Sequence, residues 1–308
     1  MRRPVILLWL QSAERSAAFK HSKVSHMQGN DATPQPKPEE PELLAAMYRL
    51  FRDFFDKAER RRRWSIPDDI PWQECNRNLD PAIADVVETF CSVELYLPDY
   101  LSKLIPQVRG NRGRAWFLAN WGYEESKHSL ALGDWLLKSG HRSEEQMTDM
   151  EARVFEHEWN LPQDNARGMV CYSMFQELAT WLHYRNLRSL VREKGGDPAL
   201  EKLLTLVSVD ERAHYDFFQE LVQLYLAYDR PGTLEQMRRV ANDFAMPAID
   251  LLADSAQRAA AVQDLHIFDE KIFLYEVFEP CLAAIGVTKA ELRRKNARRE
   301  QVSMAGIG

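Results

Sequence analysis

Apolar positions along most of this chain recur every three or four residues, with no run of strict alternation, and that periodicity predicts an all-α fold. The row Leu43, Met47, Leu50, Phe54 and Phe55 predicts a helix from Glu42 that ends in the run Arg60 to Arg63. Pro67 and Pro71 forbid its continuation beyond Trp64. Asp80 and Pro81 form an N-cap and first-turn pair that opens the next helix, with Ile83, Val86, Val87, Phe90, Leu97, Leu101 and Leu104 on one side. Pro98 has no N–H to give the carbonyl of residue 94, so this helix is expected to loosen or kink there. A helix through Trp121 ends at Ser139 and Gly140, and a short one covers 143–157. A long helix over 165–194 is apolar nearly all round, as at the centre of a bundle. Gly195, Gly196, Asp197 and Pro198 stop it and cap its successor, and two further helices, about 233–253 and 269–285, complete the body.

Ionisable residues interrupt four of these apolar rows. Glu94 lies one turn after Phe90; Glu125 and His128 fall within the row Leu118, Trp121, Leu132, Trp135. Glu177 falls within Val170, Met174, Trp181, Tyr184, and Glu211 with His214 within Leu200, Leu204, Val207, Phe218, Leu221, Tyr225. In each Glu-x-x-His the carboxylate and imidazole share a helix face and can reach one cation together. A buried carboxylate costs several kcal/mol unless compensated, and a metal ion compensates several at once. The order Glu, Glu-x-x-His occurs twice, with 31 residues from Glu94 to Glu125 and 34 from Glu177 to Glu211, which marks an internal duplication. Four helices carrying four carboxylates and two imidazoles match the two-metal site of ferritin-like four-helix bundles, here with additional flanking helices. The donor set suits iron or manganese rather than zinc. Glu124 and Asp210, each just before its Glu, are expected to reach across and hold the histidine of the other helix. His21, His26, His141, His157, His183 and His266 have no Glu or Asp three residues before them and read as ordinary surface or core histidines.

Composition narrows the setting. A hydrophobic content of 45% over 308 residues supports one large core, and a net charge of −6 argues against general nucleic-acid affinity. The chain divides into a Pro-rich flexible arm (1–41), a helical metal-binding domain (42–287) and a basic tail (288–308). Cys75, Cys91, Cys171 and Cys281 form no Cys-x-x-Cys pair and read as reduced thiols of a cytoplasmic protein. The apolar run near the N-terminus is short for a signal peptide, and no run approaches the roughly 20 residues of a membrane span.

At these residues the sequence resembles the soluble acyl-[acyl-carrier-protein] desaturases, over roughly 42–253. The likeness is carried by Glu94 with Leu97-Pro98-x-Tyr100, Trp121-x-x-Glu-Glu-x-x-His128, Phe175-Gln-Glu177-x-Ala-Thr180 and Asp210-Glu-x-x-His214. Lys127, Ser126, Ser129 and Leu178 depart from the family's usual Arg, Asn, Gly and Arg. The resemblance implies two iron ions per chain that activate O₂ and abstract hydrogens from a fatty acyl chain on acyl carrier protein or CoA, with electrons from ferredoxin, in a homodimer. It implies that Thr180 is the active-site hydroxyl and that Trp64 and Asp210 form a surface-to-metal path ending at His128. It also implies an apolar tunnel between the helices of Glu94 and Glu177, with Trp181, larger than the family's aromatic ring, narrowing or redirecting it; the alternative is that Trp181 is ordinary core. The alternatives are a hydroxylase on the same site and a non-enzymatic metal-binding relative. Arg60 to Arg63, the densest positive cluster, is a candidate docking site for acidic partners.

Overall fold

Helix boundaries follow the cap chemistry. In the computed structural model, which describes residues 38–293, α1 spans Pro41–Arg61 with a proline in its first turn. The Asp80 side chain accepts from the Ala82 N–H and starts α2, Pro81–Glu94. The break expected near Pro98 is complete: α2 ends at Glu94, and α3, Leu97–Val108, starts afresh after Leu95 and Tyr96. Asn111 caps α4, Arg112–Lys138, and Ser143 with Gln146 makes a capping box for α5, Glu144–Val154. Asn165 caps α6, Ala166–Glu193, and Asp197 caps α7, Pro198–Tyr228. Gly195 and Gly196 take the positive φ that the tight turn between α6 and α7 demands.

The C-terminal third departs from the periodicity. The helix expected over 233–253 is α8, Arg230–Asp243, capped by Asp229, and it stops ahead of Pro247, which cannot sit in a helix interior. Residues between 244 and 254 form a loop with a short 3₁₀ turn, Ile249–Leu251, and a further helix, α9, Ser255–Asp264, follows that the apolar pattern did not reveal. The helix expected over 269–285 contains a π-helical stretch, Phe273–Phe278, just before Pro280. Lys289–Arg293 is helical, while residues 1–37, most of the expected arm, and 294–308, most of the basic tail, lie outside the described residues.

No strand occurs among the described residues, and the architecture is the all-α, ferritin-like bundle. α6 and α7 form the most extensive pairing; α2 packs on α4, and α1 lies across α4 and α7. One apolar cluster runs through all of them, from Met47 and Phe51 on α1 to Leu132 and Trp135 on α4, Leu182 on α6 and Leu221 on α7. Among the described residues no helix is long and apolar enough to cross a membrane.

The crossing of α1 and α4 depends on Gly113, where a Cβ would lie 2.6 Å from the Met47 carbonyl oxygen. Backbone cannot yield there as a side-chain tip could. Gly113→Ala should therefore lower stability by about 2 kcal/mol, from overpacking, in urea denaturation; an unchanged midpoint would mean that the two helices are not in contact at this point.

Candidate metal centre

The four interrupted rows meet. Glu94 closes α2, Glu125 and His128 sit mid-α4, Glu177 mid-α6, and Glu211 with His214 mid-α7, all buried. Two donor groups result: Glu94, Glu125, His128 and Glu211, and Glu125, Glu177, Glu211 and His214, the donor atoms within each lying within 4.8 Å of one another. Glu125 and Glu211 belong to both. Glu125 places Oε2 3.1 Å from His128 Nδ1 and Oε1 3.0 Å from His214 Nδ1. Glu211 places Oε1 3.3 Å from His128 Nδ1 and Oε2 3.9 Å from His214 Nδ1. Each of these two carboxylates thus offers one oxygen to either half of the site.

A ring of hydrogen-bonding groups aims the donors. His214 Nε2 is hydrogen-bonded to Glu124 Oε2 at 2.8 Å, so α4 holds the histidine of α7, while His128 Nε2 faces Asp210 Oδ2 of α7 at 3.5 Å without a hydrogen bond. Both Nδ1 atoms then face the carboxylates. The Tyr184 hydroxyl donates to Glu94 Oε1 at 2.6 Å, and Trp121 Nε1 donates to Glu177 Oε1 at 3.2 Å. Further out, Arg62 donates to Asp210 Oδ1 at 2.8 Å and to Glu124 Oε1 at 3.3 Å, while Arg63 donates to Glu124 Oε1 at 2.6 Å. Trp64 Nε1 donates to Asp210 Oδ2 at 2.7 Å, which links Trp64, Asp210 and His128 in one line. Lys127 Nζ sits 3.9 Å over the Trp64 ring and donates to the Trp64 carbonyl.

The donors fit a pair of metal ions. Both oxygens of Glu211, Glu177 Oε2 and His214 Nδ1 are buried without a hydrogen-bond partner and face the same small space. Such orphans are rare in protein interiors and mark a place for an ion or water. Electrostatics agree. Burial, then the charge of Glu125, pushes Glu94 up to about 8 and Glu211 up to about 7, and burial drives Glu177 well above the carboxylate range. Burial would also raise Glu125, but the adjacent His128 and His214 hold it low. Both histidines are raised well above 6.5, their burial outweighed by the surrounding carboxylates. Without metal, protons supply the positive charge that the cluster requires; bound metal ions would replace them.

The centre opens onto a narrow, largely apolar cavity of about 50 Å³, lined by Phe90, Val93, Thr180, His183, Met246 and Ile249 beside Glu94, Glu125 and Glu211. A second apolar space adjoins it across Tyr100, Trp121, Gln176 and Pro247. Thr180 faces the first cavity and donates its hydroxyl to the Gln176 carbonyl at 3.0 Å. Trp181 does not line either space. The Arg185 and Arg212 guanidinium groups lie 4.8 and 5.6 Å from its ring and it packs against the core, so the expectation that it narrows or redirects a tunnel is corrected in favour of an ordinary core role. The docking cluster is corrected as well: Arg62 and Arg63 turn inward onto Glu124 and Asp210, leaving only Arg60 and Arg61 exposed.

Three residues of the site went unread in the sequence. Tyr184 was in the Glu177 row, two turns on, but counted as apolar. His183, a core histidine stacked 4.1 Å from Phe268, lines the cavity, and burial pushes its imidazole down to about 4. Arg62 carries no local signal, because its partners lie 62 and 148 residues away.

Comparisons with known proteins accord with this geometry. The family model described as "Fatty acid desaturase" matches residues 84–307. The chain is 24% identical over 242 residues to the putative acyl-[acyl-carrier-protein] desaturase DesA1 of Mycobacterium tuberculosis, covering 71% of this chain and 70% of that one. It is 27% identical over 161 residues to acyl-[acyl-carrier-protein] desaturase 6, chloroplastic, of Oryza sativa subsp. japonica, covering 49% and 38%. Its fold is similar to that of the putative acyl-ACP desaturase DesA2 of Mycobacterium tuberculosis H37Rv, with a TM-score of 0.61 and 19% identity over 82% of this chain and 98% of that one. It is also similar to that of a mutant R2-like ligand-binding oxidase with a reconstituted Mn/Fe cofactor, with a TM-score of 0.55 and 16% identity over 82% and 95%. The buried Glu/His cluster brings together, in this fold, two donor groups that could each hold a metal ion.

The charge balance makes a pH prediction for the metal-free protein. Glu94 and Glu211 keep protons in the folded state up to about 8 and about 7, whereas the unfolded chain ionises them near 4.5, so the stability they contribute is lost as pH climbs through that interval. His128 and His214, raised above 6.5, act in the same direction. Differential scanning fluorimetry of the metal-free protein should show a Tm that falls from about pH 5 to about pH 8, and added Fe(II) or Mn(II) should raise Tm more at pH 8, because the ligands must shed protons to bind. A metal-free Tm that rises over that interval would contradict the arrangement.

Proposed function

The chain belongs to the fatty acid desaturase family, and from that membership we propose that it is an O₂-dependent oxidoreductase that introduces a double bond into a fatty acyl chain held on acyl carrier protein. The observation that carries this reading is the opening of the buried Glu/His cluster onto an apolar cavity: unactivated methylene groups can lie beside the centre without meeting water. In this reading two iron ions occupy the centre, Glu94 and His128 on one, Glu177 and His214 on the other, with Glu125 and Glu211 shared. Reduced and bound there, the metals supply O₂ activation and the hydrogen-abstracting power.

The protein's own residues supply orientation. Glu124 holds the Nε2 atom of His214 and Asp210 faces that of His128, so that each Nδ1 is free to ligate. Arg62 bridges both carboxylates and keeps them charged in a buried place. The Thr180 hydroxyl, held at the cavity wall by its bond to the Gln176 carbonyl, turns its oxygen lone pairs to the reacting face as a hydrogen-bond acceptor. Tyr100, Trp121 and Phe90 exclude water from the acyl chain. Electrons from a ferredoxin-type donor enter along Trp64, Asp210 and His128. Acyl-CoA is the alternative carrier, manganese the alternative metal, and the working unit is a homodimer.

Iron-loaded protein given an acyl-[acyl carrier protein], O₂ and a ferredoxin system should yield a product two hydrogens lighter by mass spectrometry; one oxygen atom heavier would make it a hydroxylase, and neither would reject the reading. Glu211→Ala should lower iron from about two per chain towards zero and reduce turnover by at least about 10²-fold, since it removes a ligand from both metals. Arg62→Met, removing the counter-charge that two buried carboxylates share, should weaken metal binding by about 10–100-fold in a chelator competition without altering the product; unchanged affinity would mean that Arg62 is a bystander.

A further inference from the structure

Most polar groups on the cavity wall are already engaged within the protein. The Tyr100 hydroxyl donates to the Val93 carbonyl at 3.0 Å, Trp121 Nε1 to Glu177, the Tyr184 hydroxyl to Glu94 and the Thr180 hydroxyl to the Gln176 carbonyl. His183 is different. Its Nδ1 lies 2.6 Å from the Ala179 carbonyl oxygen, one turn back on α6. A carbonyl only accepts, so Nδ1 carries the ring proton and Nε2 keeps a lone pair. That lone pair meets no hydrogen-bond donor among the described residues, although the residue is only 5% exposed. Burial, which pushes the imidazole down to about 4, keeps the ring neutral.

The ring is held so that it cannot turn to find a donor. Phe268 stacks on it with centroids 4.1 Å apart, Phe90 meets it edge to face at 5.4 Å, and the Ala179 bond fixes its rotation. Water is a poor substitute, since a buried water needs two to four polar partners and these two rings offer none. Gln176, on the same face of α6, borders both cavities but is only half-buried, so its amide carries a smaller desolvation cost.

We infer that the acyl chain received by this cavity carries a hydroxyl group, whose hydrogen bond His183 Nε2 accepts. The inference rests on the proposed acyl reading and names the class of chain within it. Size and position select a hydroxyl. The space of about 50 Å³ holds only about four water-sized groups, so its occupant is a short stretch of chain. His183 stands three residues beyond Thr180 and six beyond Glu177, about 4.5 and about 9 Å along the helix axis, which puts the hydroxyl a few carbons from the methylene that meets the centre. An ammonium group could also donate, but only at the cost of burying a charge. A hydroxyl adds one heavy atom and supplies the donor that Nε2 lacks. A plain chain in the same place covers the lone pair with methylene groups and leaves it unpaired. That is how a polar site rejects an analogue lacking the partner group.

Binding to the iron-loaded protein without O₂, where no turnover occurs, separates recognition from chemistry. The probes are hexadecanoyl-[acyl carrier protein] and a series of its monohydroxylated isomers, with the hydroxyl moved along the chain. One isomer, or two neighbours in the series, should bind about 10–100-fold more tightly than the plain chain. His183→Phe, which keeps a flat ring between Phe90 and Phe268 but offers no acceptor, should lose that preference with bound iron and Tm as in the parent. His183→Gln, whose side-chain carbonyl accepts, should regain part of it. Equal binding of the plain chain and every isomer by the parent, or a preference that survives in His183→Phe, overturns the inference. A preferred isomer that binds but yields no product with O₂ and a ferredoxin system counts against desaturation alone, whereas efficient desaturation of the plain chain with no preference among isomers sinks only the hydroxyl. No binding of any chain, on acyl carrier protein or on CoA, overturns both.

Discussion

Four carboxylates and two imidazoles enclosed by apolar helices set the terms for the rest of the molecule. Mutual repulsion and desolvation would each expel such groups from the core, and only concentrated positive charge makes their burial tolerable. The shifts follow from that demand: Glu94, Glu177 and Glu211 hold protons above the ordinary carboxylate range, and the histidines hold theirs as well. Each is a substitute for a metal ion. The same demand explains why no donor is left to choose its own direction, since a carboxylate free to rotate could not be shared between two ions.

Positive charge also arrives from outside the bundle. α1 contributes no metal donor, yet its C-terminal end delivers Arg62 and Arg63 to Glu124 and Asp210, the carboxylates that face the histidines. Trp64 follows immediately and donates to Asp210, so the end of one helix provides both the counter-charge and a contact to the carboxylate that faces His128. Gly113 is what allows α1 to approach α4 closely. Packing at one end of α1 and electrostatics at the other are thus a single arrangement.

α4 departs from the usual distribution of a surface helix. Between 113 and 133 its charged residues face inward, where the Glu/His cluster and its surrounding ring require them, and its outer positions are apolar, small or uncharged. The inner demand comes from the cluster of Glu125 and His128.

Local signals in the chain determined the helices, their caps and the ligand set, because these depend on residues within a turn or two of one another. Asp80, Asn111, Ser143, Asn165 and Asp197 each cap the helix that follows, and Glu-x-x-His is visible at a spacing that one helix imposes. The break after Glu94 was legible in Pro98, although its completeness was not. What only the tertiary structure decided involves partners far apart in the chain. Arg62 reads as surface charge until Glu124 and Asp210 come beside it, Tyr184 as core until its hydroxyl meets Glu94, and Trp181 as tunnel wall until Arg185 and Arg212 come to lie over its ring. Helical periodicity states that a residue faces a neighbour; which neighbour, and on which side of a ligand row, follows from how the helices are rotated against one another, and that rotation is set by the packing of the whole core.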